Sequence, residues 1–200
     1  MADTEALTPL ADRVISTADA TVARIAEVPF RAQVGLRVDP KSSAAERIAT
    51  AIGAMLPGDP GGVVVTRDLV VLWLGPDEWL IIGPVGAQDR IERTLNSALG
   101  GGFGAVVDVS AHRTIIEVSG ERARDLLNSG CALDLHPRAF PAGRCASTLL
   151  ARAQVVLVCC DARAPRYWVV VRASFARYLA DWLADATTEF APDVNDLAQL

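Results

Sequence analysis

The hydrophobic residues of this chain come in short pieces. Even runs such as residues 155–160 are cut by charge, glycine or proline well before the roughly 18 to 20 residues that a membrane span needs. A chain punctuated in this way has to build its core from many short strands and a few amphipathic helices. Hydrophobic residues make up 51% of the 200 and charged residues 22%, which supplies one sizeable core and sets the chain apart from disordered sequences. A mean hydropathy of +0.28 leaves apolar surface over for a face that another protein covers.

The order of the pieces gives the fold class. Residues 21–28 and 33–38 read as strands separated by Pro29, which cannot donate to a ladder. Ser43 and Glu46 form an S-x-x-E capping box for a helix with Ile48, Ile52 and Met55 on one face, and Pro57-Gly58 stops it. Residues 63–66 and 69–74 are strands joined through Arg67-Asp68, and 78–82 is another. Residues 88–99 carry Ile91, Leu95 and Leu99 at helical spacing, ended by Gly100 to Gly102.

The second half repeats this grammar. Strands at 105–109 and 114–118 precede a short helix with Ala123, Leu126 and Leu127, for which Gly130 is the expected cap. Strands at 147–151, 155–160 and 167–172 lead to a final helix from Ser174, where Phe175, Tyr178, Leu179, Trp182 and Leu183 read as a core stripe. The expectation is an α+β fold of two similar halves, about 20–102 and 103–190, each a largely antiparallel sheet with helices packed on one side. Together they form a single domain, 20–190, after a loosely ordered segment 1–19 and before a tail at 191–200.

Charge and motif content exclude several functions. A formal net charge of −5 with scattered arginines argues against nucleic acid, whose phosphates require clustered basic residues. Asp3 and Glu5 stand where an export signal needs positive charge, so a cytoplasmic protein with no membrane partner is expected. Cys131, Cys145, Cys159 and Cys160 form no C-x-x-C pair and reach no zinc spacing with His112 and His136. Cys159 and Cys160 read as buried strand cysteines. Gly100 to Gly104 precede a strand, whereas a phosphate cradle follows a strand and opens a helix. No catalytic, cofactor-binding or metal-binding residue is assigned.

Two polar stretches remain. Asp108, Ser110 and Arg113 leave an apolar strand together with His112, and are expected to form a structural network at the strand end. Residues 134–141 form a connector stiffened by Pro137 and Pro141. His136, Arg138 and Phe140 on it are candidate partner-interface residues, with the competing possibility that Phe140 closes the domain's own core.

Leu74-Gly75-Pro76-Asp77-Glu78-Trp79-Leu80 resembles the LGPDEWL motif of the gamma subunits of heterotetrameric sarcosine oxidase. Val107-Asp108-Val109-Ser110-Ala111-His112-Arg113, Ile116-Glu117-Val118-Ser119-Gly120, Asp134-Leu135-His136-Pro137 and Phe140-Pro141-Ala142-Gly143 follow in the family order, and the resemblance covers roughly residues 20 to 190. It implies a non-catalytic subunit that packs directly on the alpha chain of an assembly with beta and delta chains. That assembly demethylates sarcosine oxidatively to glycine, with hydrogen peroxide and methylenetetrahydrofolate as products. The isolated chain is then inactive, and FAD, FMN, NAD and tetrahydrofolate belong to its partners.

The DVS element with Gly120, Ala123 and Leu126-Leu127 is more distantly similar to the folate-binding fold of the glycine-cleavage aminomethyltransferase family. Its acidic pair is replaced here by Ala151-Arg152-Ala153-Gln154-Val155-Val156. The alternative to a subunit role is a free-standing folate-dependent protein, either aminomethyltransferase-like or of the related class that assists iron-sulfur enzymes. The cysteine contexts Gly130-Cys131-Ala132 and Arg144-Cys145-Ala146 lack the latter's KGCYxGQE element.

Overall fold

The computed structural model describes residues 7–12 and 23–190. Two five-stranded sheets, antiparallel at every pairing, stack face to face between two pairs of helices. The first half contributes β1 (Arg24–Val28), β2 (Arg31–Val38), α1 (Ser43–Ile52), β3 (Val63–Val65), β4 (Val70–Gly75), β5 (Glu78–Val85) and α2 (Gln88–Leu99). The second contributes β6 (Gly104–Asp108), β7 (Arg113–Ser119), α3 (Ala123–Asn128), β8 (Arg144–Leu150), β9 (Ala153–Asp161), β10 (Arg166–Arg172) and α4 (Ala173–Ala186), closed by a 3-10 turn at Thr187–Phe190.

The halves are not separable at residue 102, because each gives its first strand to the other. The strand orders are β6-β2-β5-β4-β3 and β1-β7-β10-β9-β8. Counted within its own half, each sheet therefore reads second, fifth, fourth, third, with the opening strand of the opposite half added at the edge. That matching order is the internal repeat, and it lies in pairing rather than in sequence. β6 pairs with β2 from Val34↔Asp108 to Val38↔Gly104, and β1 with β7 from Arg24↔Ser119 to Val28↔Ile115.

Strand alternation distributes the apolar residues over three cores. Along β5, Trp79 and Ile81 face α1 and α2, whereas Leu80 and Ile82 face the other sheet. Along β10, Val169 and Val171 face α3 and α4, whereas Val170 looks into the seam between sheets with Ile115, Val156 and Val158. Trp79, 1% exposed, donates its indole N–H to the Pro57 carbonyl at 2.9 Å, which satisfies its polar edge inside the core. Arg47 of α1 reaches α2 and donates to the carbonyls of Ala98 and Leu99 at 2.9 and 3.0 Å, capping carbonyls that the helix end leaves open.

Several local expectations change. The cap of α1 is Ser42, whose hydroxyl accepts from the Ala45 N–H at 3.3 Å, so Ser43 is the first helical residue and not the cap. α1 ends at Gly53, and Met55 beyond it lies on the surface. On α4 the buried face is Ala176, Leu179, Ala180 and Leu183. Phe175 and Tyr178 sit outside it as an edge-to-face pair with ring centroids 6.3 Å apart. The loose segment expected at 1–19 is, over residues 7–12, a turn with Leu10 buried in the second-half core and Asp12 paired with Arg177 at 2.9 Å. The tail at 191–200 lies outside the described residues.

Gly130 is required for space rather than for capping. The cap of α3 is Ser129, and a Cβ at 130 would collide with the ring of Trp182. Gly130→Ala should therefore lose about 1–3 kcal/mol by overpacking, read as a lower denaturant midpoint at unchanged slope. The β8–β9 hairpin turns through Ala151 and Arg152, and Ala151 holds φ +51, a left-handed conformation that disfavours a Cβ. Ala151→Gly should raise stability by about 0.5–1 kcal/mol in the same measurement, the relief of strain exceeding the added freedom of the unfolded chain.

Candidate functional site

A cavity of about 960 Å³ opens where the chain crosses between the sheets. One wall is the β1–β2 turn, Pro29-Phe30, which carries the chain from the second sheet to the first. The other is the β6–β7 connection through Ser110 and Ala111, which carries it back. The start of α4 and the turn around Pro9 complete the rim.

The crossing is held by hydrogen bonds between residues far apart in sequence. The Ser110 hydroxyl accepts from the Gln33 N–H at 2.9 Å, and the Gln33 carbonyl accepts from the Val109 N–H at 2.9 Å. Asp108 accepts from the N–H of Ser110 at 2.9 Å and from its hydroxyl at 2.5 Å. Asp108 and Ser110 thus meet, but Asp108 is exposed on the edge strand, and Arg113 joins through its backbone carbonyl rather than its guanidinium. Gln33, only 1% exposed, donates its side-chain N–H to that carbonyl at 3.2 Å. Its Oε1 is left buried without a partner, as is Nε of Arg31. An orphan buried polar atom of this kind costs about 1–3 kcal/mol.

Among the described residues, Arg31, Arg113 and Arg177 line the cavity and no carboxylate does. The Arg31 guanidinium lies over the Trp168 ring at 5.8 Å, and Trp168 donates in turn to Glu117 at 3.1 Å. Burial pushes Arg113 below its ordinary value, Glu78 pulls it up and Arg172 lowers it further; a guanidinium keeps its charge at neutral pH all the same. Thr114, on the same wall, donates to Glu27 at 2.6 Å.

The other sequence candidates lie outside the lining of this cavity. Desolvation, then Arg113 and Arg172, hold the His112 imidazole below its usual value, so it is neutral at pH 7. Burial pushes the Cys145 thiol up to about 11 and the Cys160 thiol up to about 12, which leaves both protonated and poorly nucleophilic. Cys145 lies in the seam, its N–H bonded to the Gly61 carbonyl at 2.8 Å. In the connector, Asp134 and His136 spend side-chain acceptors on the N–H groups of His136 and Arg138, at 2.9 and 3.2 Å. His136 and Arg138 are exposed, whereas Phe140 is 6% exposed and packs in the second-half core. Phe140 is therefore no exposed anchor: with Leu135 it pins the loop down.

The LGPDEWL stretch is a hairpin that ends in the buried Trp79, with Asp77 and Glu78 paired to Arg37. It lies away from the cavity wall. The β8–β9 turn is Ala151-Arg152, with the Arg152 N–H donating to the Tyr178 hydroxyl at 3.3 Å. It offers no carboxylate, so it does not fit the folate role that the fold resemblance implies for that position. Among the described residues no cluster of His, Cys, Asp and Glu could hold a metal ion, and no helix is long and apolar enough to cross a membrane.

Sequence reading missed Arg31, Gln33 and Thr114. One signal was present: Gln33 is a polar residue inside a run whose alternate members Ala32, Val34, Leu36 and Val38 are apolar. Its meeting with Arg113, 80 residues away, had no counterpart in the pattern.

Residues 35–189 match the model of the sarcosine oxidase, gamma subunit family. A sarcosine oxidase subunit gamma from Arthrobacter sp is 42% identical over 177 residues, 88% of this chain and 84% of the relative. A chain of the heterotetrameric sarcosine oxidase from Corynebacterium sp. U-96, solved with pyrrole 2-carboxylate, superposes with a TM-score of 0.86 at 34% identity, over 94% of this chain and 97% of that one. The glycine cleavage system aminomethyltransferase T from Bartonella henselae matches at TM-score 0.63 and 14% identity, over 82% of this chain and 45% of that one, a likeness of fold alone. The motifs, the paired antiparallel sheets and these matches agree: the chain belongs to the sarcosine oxidase gamma subunit family.

Proposed function

We propose that the chain is the gamma subunit of a cytoplasmic heterotetrameric sarcosine oxidase, docked directly on the alpha subunit of an assembly completed by beta and delta chains. The alpha and beta chains carry out the oxidative demethylation of sarcosine to glycine, with hydrogen peroxide and, through tetrahydrofolate, methylenetetrahydrofolate as products. FAD, FMN, NAD and tetrahydrofolate sit in those partners. The observation that carries this reading is the near end-to-end match to one chain of a heterotetrameric enzyme. Among the described residues the chemistry agrees with this reading: the Cys145 and Cys160 thiols stay protonated and poorly nucleophilic, and the described residues that line the cavity include no carboxylate.

For docking, the rigid connector presents His136 and Arg138 outward while Leu135 and Phe140 hold it to the core. A pre-ordered loop loses little entropy on binding, and arginine is among the commonest interface anchors. Phe103, 99% exposed beside the edge strand β6, marks the competing surface.

Co-expression with the alpha, beta and delta chains should yield one co-purifying complex with sarcosine-dependent peroxide formation, while this chain alone is colourless and inactive. A yellow preparation of the chain alone that turns over sarcosine overturns the proposal. Arg138→Ala should weaken assembly by about 1–2 kcal/mol at unchanged Tm of the isolated chain, whereas Phe140→Ala should destabilise the isolated chain by about 3–5 kcal/mol. If Phe103→Ser disrupts assembly and Arg138→Ala does not, the contact belongs to the β6 edge.

A further inference from the structure

Of the four strands that end the two sheets, three carry a device that keeps another strand from adding to them. The outer edge of β8 is taken at both ends, by the bridge from Arg144 to Gly62 and the bridge from Leu150 to Cys131, and the Cys145 N–H donates to the Gly61 carbonyl at 2.8 Å. β3 is only three residues long, and β1 has Arg24 and Glu27 within its five. Covered, very short and charged edges are the means by which folded proteins avoid edge-to-edge pairing. β6, at the other end of the first sheet, has none of them. It runs Gly104-Ala105-Val106-Val107-Asp108, with no proline, no register shift against β2 and a single charge at its end.

The pairing on its inner side fixes what β6 presents outward. The Val109 N–H donates to the Gln33 carbonyl, and in the same register Val107 stands opposite Gly35 and Ala105 opposite Arg37. Antiparallel ladders alternate, so Ala105 and Val107 turn their backbone groups toward β2, and Gly104, Val106 and Asp108 turn theirs away from it. Those outward groups have no backbone partner among the described residues, since β6 pairs with β2 alone. Val107 is 52% exposed and Phe103, just ahead of the strand, 99%, whereas Val106 packs against the first-half core. The edge therefore offers open ladder, an apolar flank and one negative charge.

The occupant follows from the rest of the molecule and rests on the subunit reading above. Leu10 and Phe190, near the two ends of the described chain, pack on the second-half core, whereas β6 closes the sheet of the first. In an assembly of four different chains a second copy has no place beside it. We propose that β6 receives a strand from another chain of the oxidase assembly, an extended segment of alternating apolar residues with a basic residue beside Asp108, as a contact additional to the connector.

Hydrogen exchange resolved to single amides tests this, comparing the free full-length chain with the complex co-purified with the alpha, beta and delta chains. Strand addition should slow exchange at Val106 and Asp108 by at least about tenfold on assembly, while Ala105 and Val107, already bonded to β2, change little. Val106→Pro removes an outward N–H without breaking a bond to β2, and should weaken retention in the complex at least about tenfold while the free variant still melts cooperatively. Should it fail to fold, Val107→Lys, an exposed substitution, takes its place with the same loss expected. A complex that forms with exchange in β6 unchanged, or that retains the folded variant fully, overturns the proposal and leaves the subunit reading standing. If the wild-type chain joins no complex, the subunit reading fails and the proposal with it. A free chain that is dimeric, with Val106 and Asp108 already protected, gives the edge to a second copy and overturns the proposal as well.

Discussion

The pairing of β6 with β2 and of β1 with β7 ties each half of the chain into the sheet of the other. Most other features of the architecture follow from that exchange. Each sheet lacks a strand until the opposite half is in place, so neither half can complete its own hydrogen-bond ladder. The contacts involved are long-range: Gln33 and Ser110, which brace the crossing, are 77 residues apart. Loop closure on that scale has to come before the reward of pairing.

The exchange also explains why there are three cores. A sheet with helices on one side still has a bare second face, and the two bare faces bury one another through Leu72, Leu80, Ile82, Ile115, Val156, Val158 and Val170. Cys145 locks this seam from the edge through its bonds to the Gly61 and Trp73 carbonyls. Gly61 is needed there because its φ is +71 and a Cβ would meet the Cys145 carbonyl. Where the chain passes from one sheet to the other the apolar packing must open, and polar residues take over the backbone groups that no strand pairs. The cavity and its arginines lie at that opening.

The sequence motifs that carry the family resemblance play scaffold roles in this fold. LGPDEWL turns a hairpin and delivers Trp79 to the core, and the segment from Asp108 to Arg113 makes the crossing. A family recognised through such residues is recognised by how it folds. The fold it shares with an aminomethyltransferase is a likeness of backbone, and the two-residue hairpin at Ala151-Arg152 holds no carboxylate.

Element types and their order were legible because they depend on local periodicity: α2 spans the residues its Ile91, Leu95 and Leu99 spacing indicates, and the second-half strands lie within a few residues of their apolar runs. Local signals also erred by small rotations. Ser42 took the cap from Ser43, and the buried stripe of α4 moved off Phe175 and Tyr178, since neighbouring residues of similar chemistry compete and packing chooses between them. Phe140 could be assigned to core or interface only once Leu135 and its neighbours were in place. What the sequence determined by itself was the class of fold and the family, both of which reside in short stretches of residues. Which strand completes which sheet, and the meeting of Arg31, Gln33 and Arg113 around one cavity, were decided by tertiary structure alone, because partners some 80 residues apart leave no periodic trace in the chain that must bring them together.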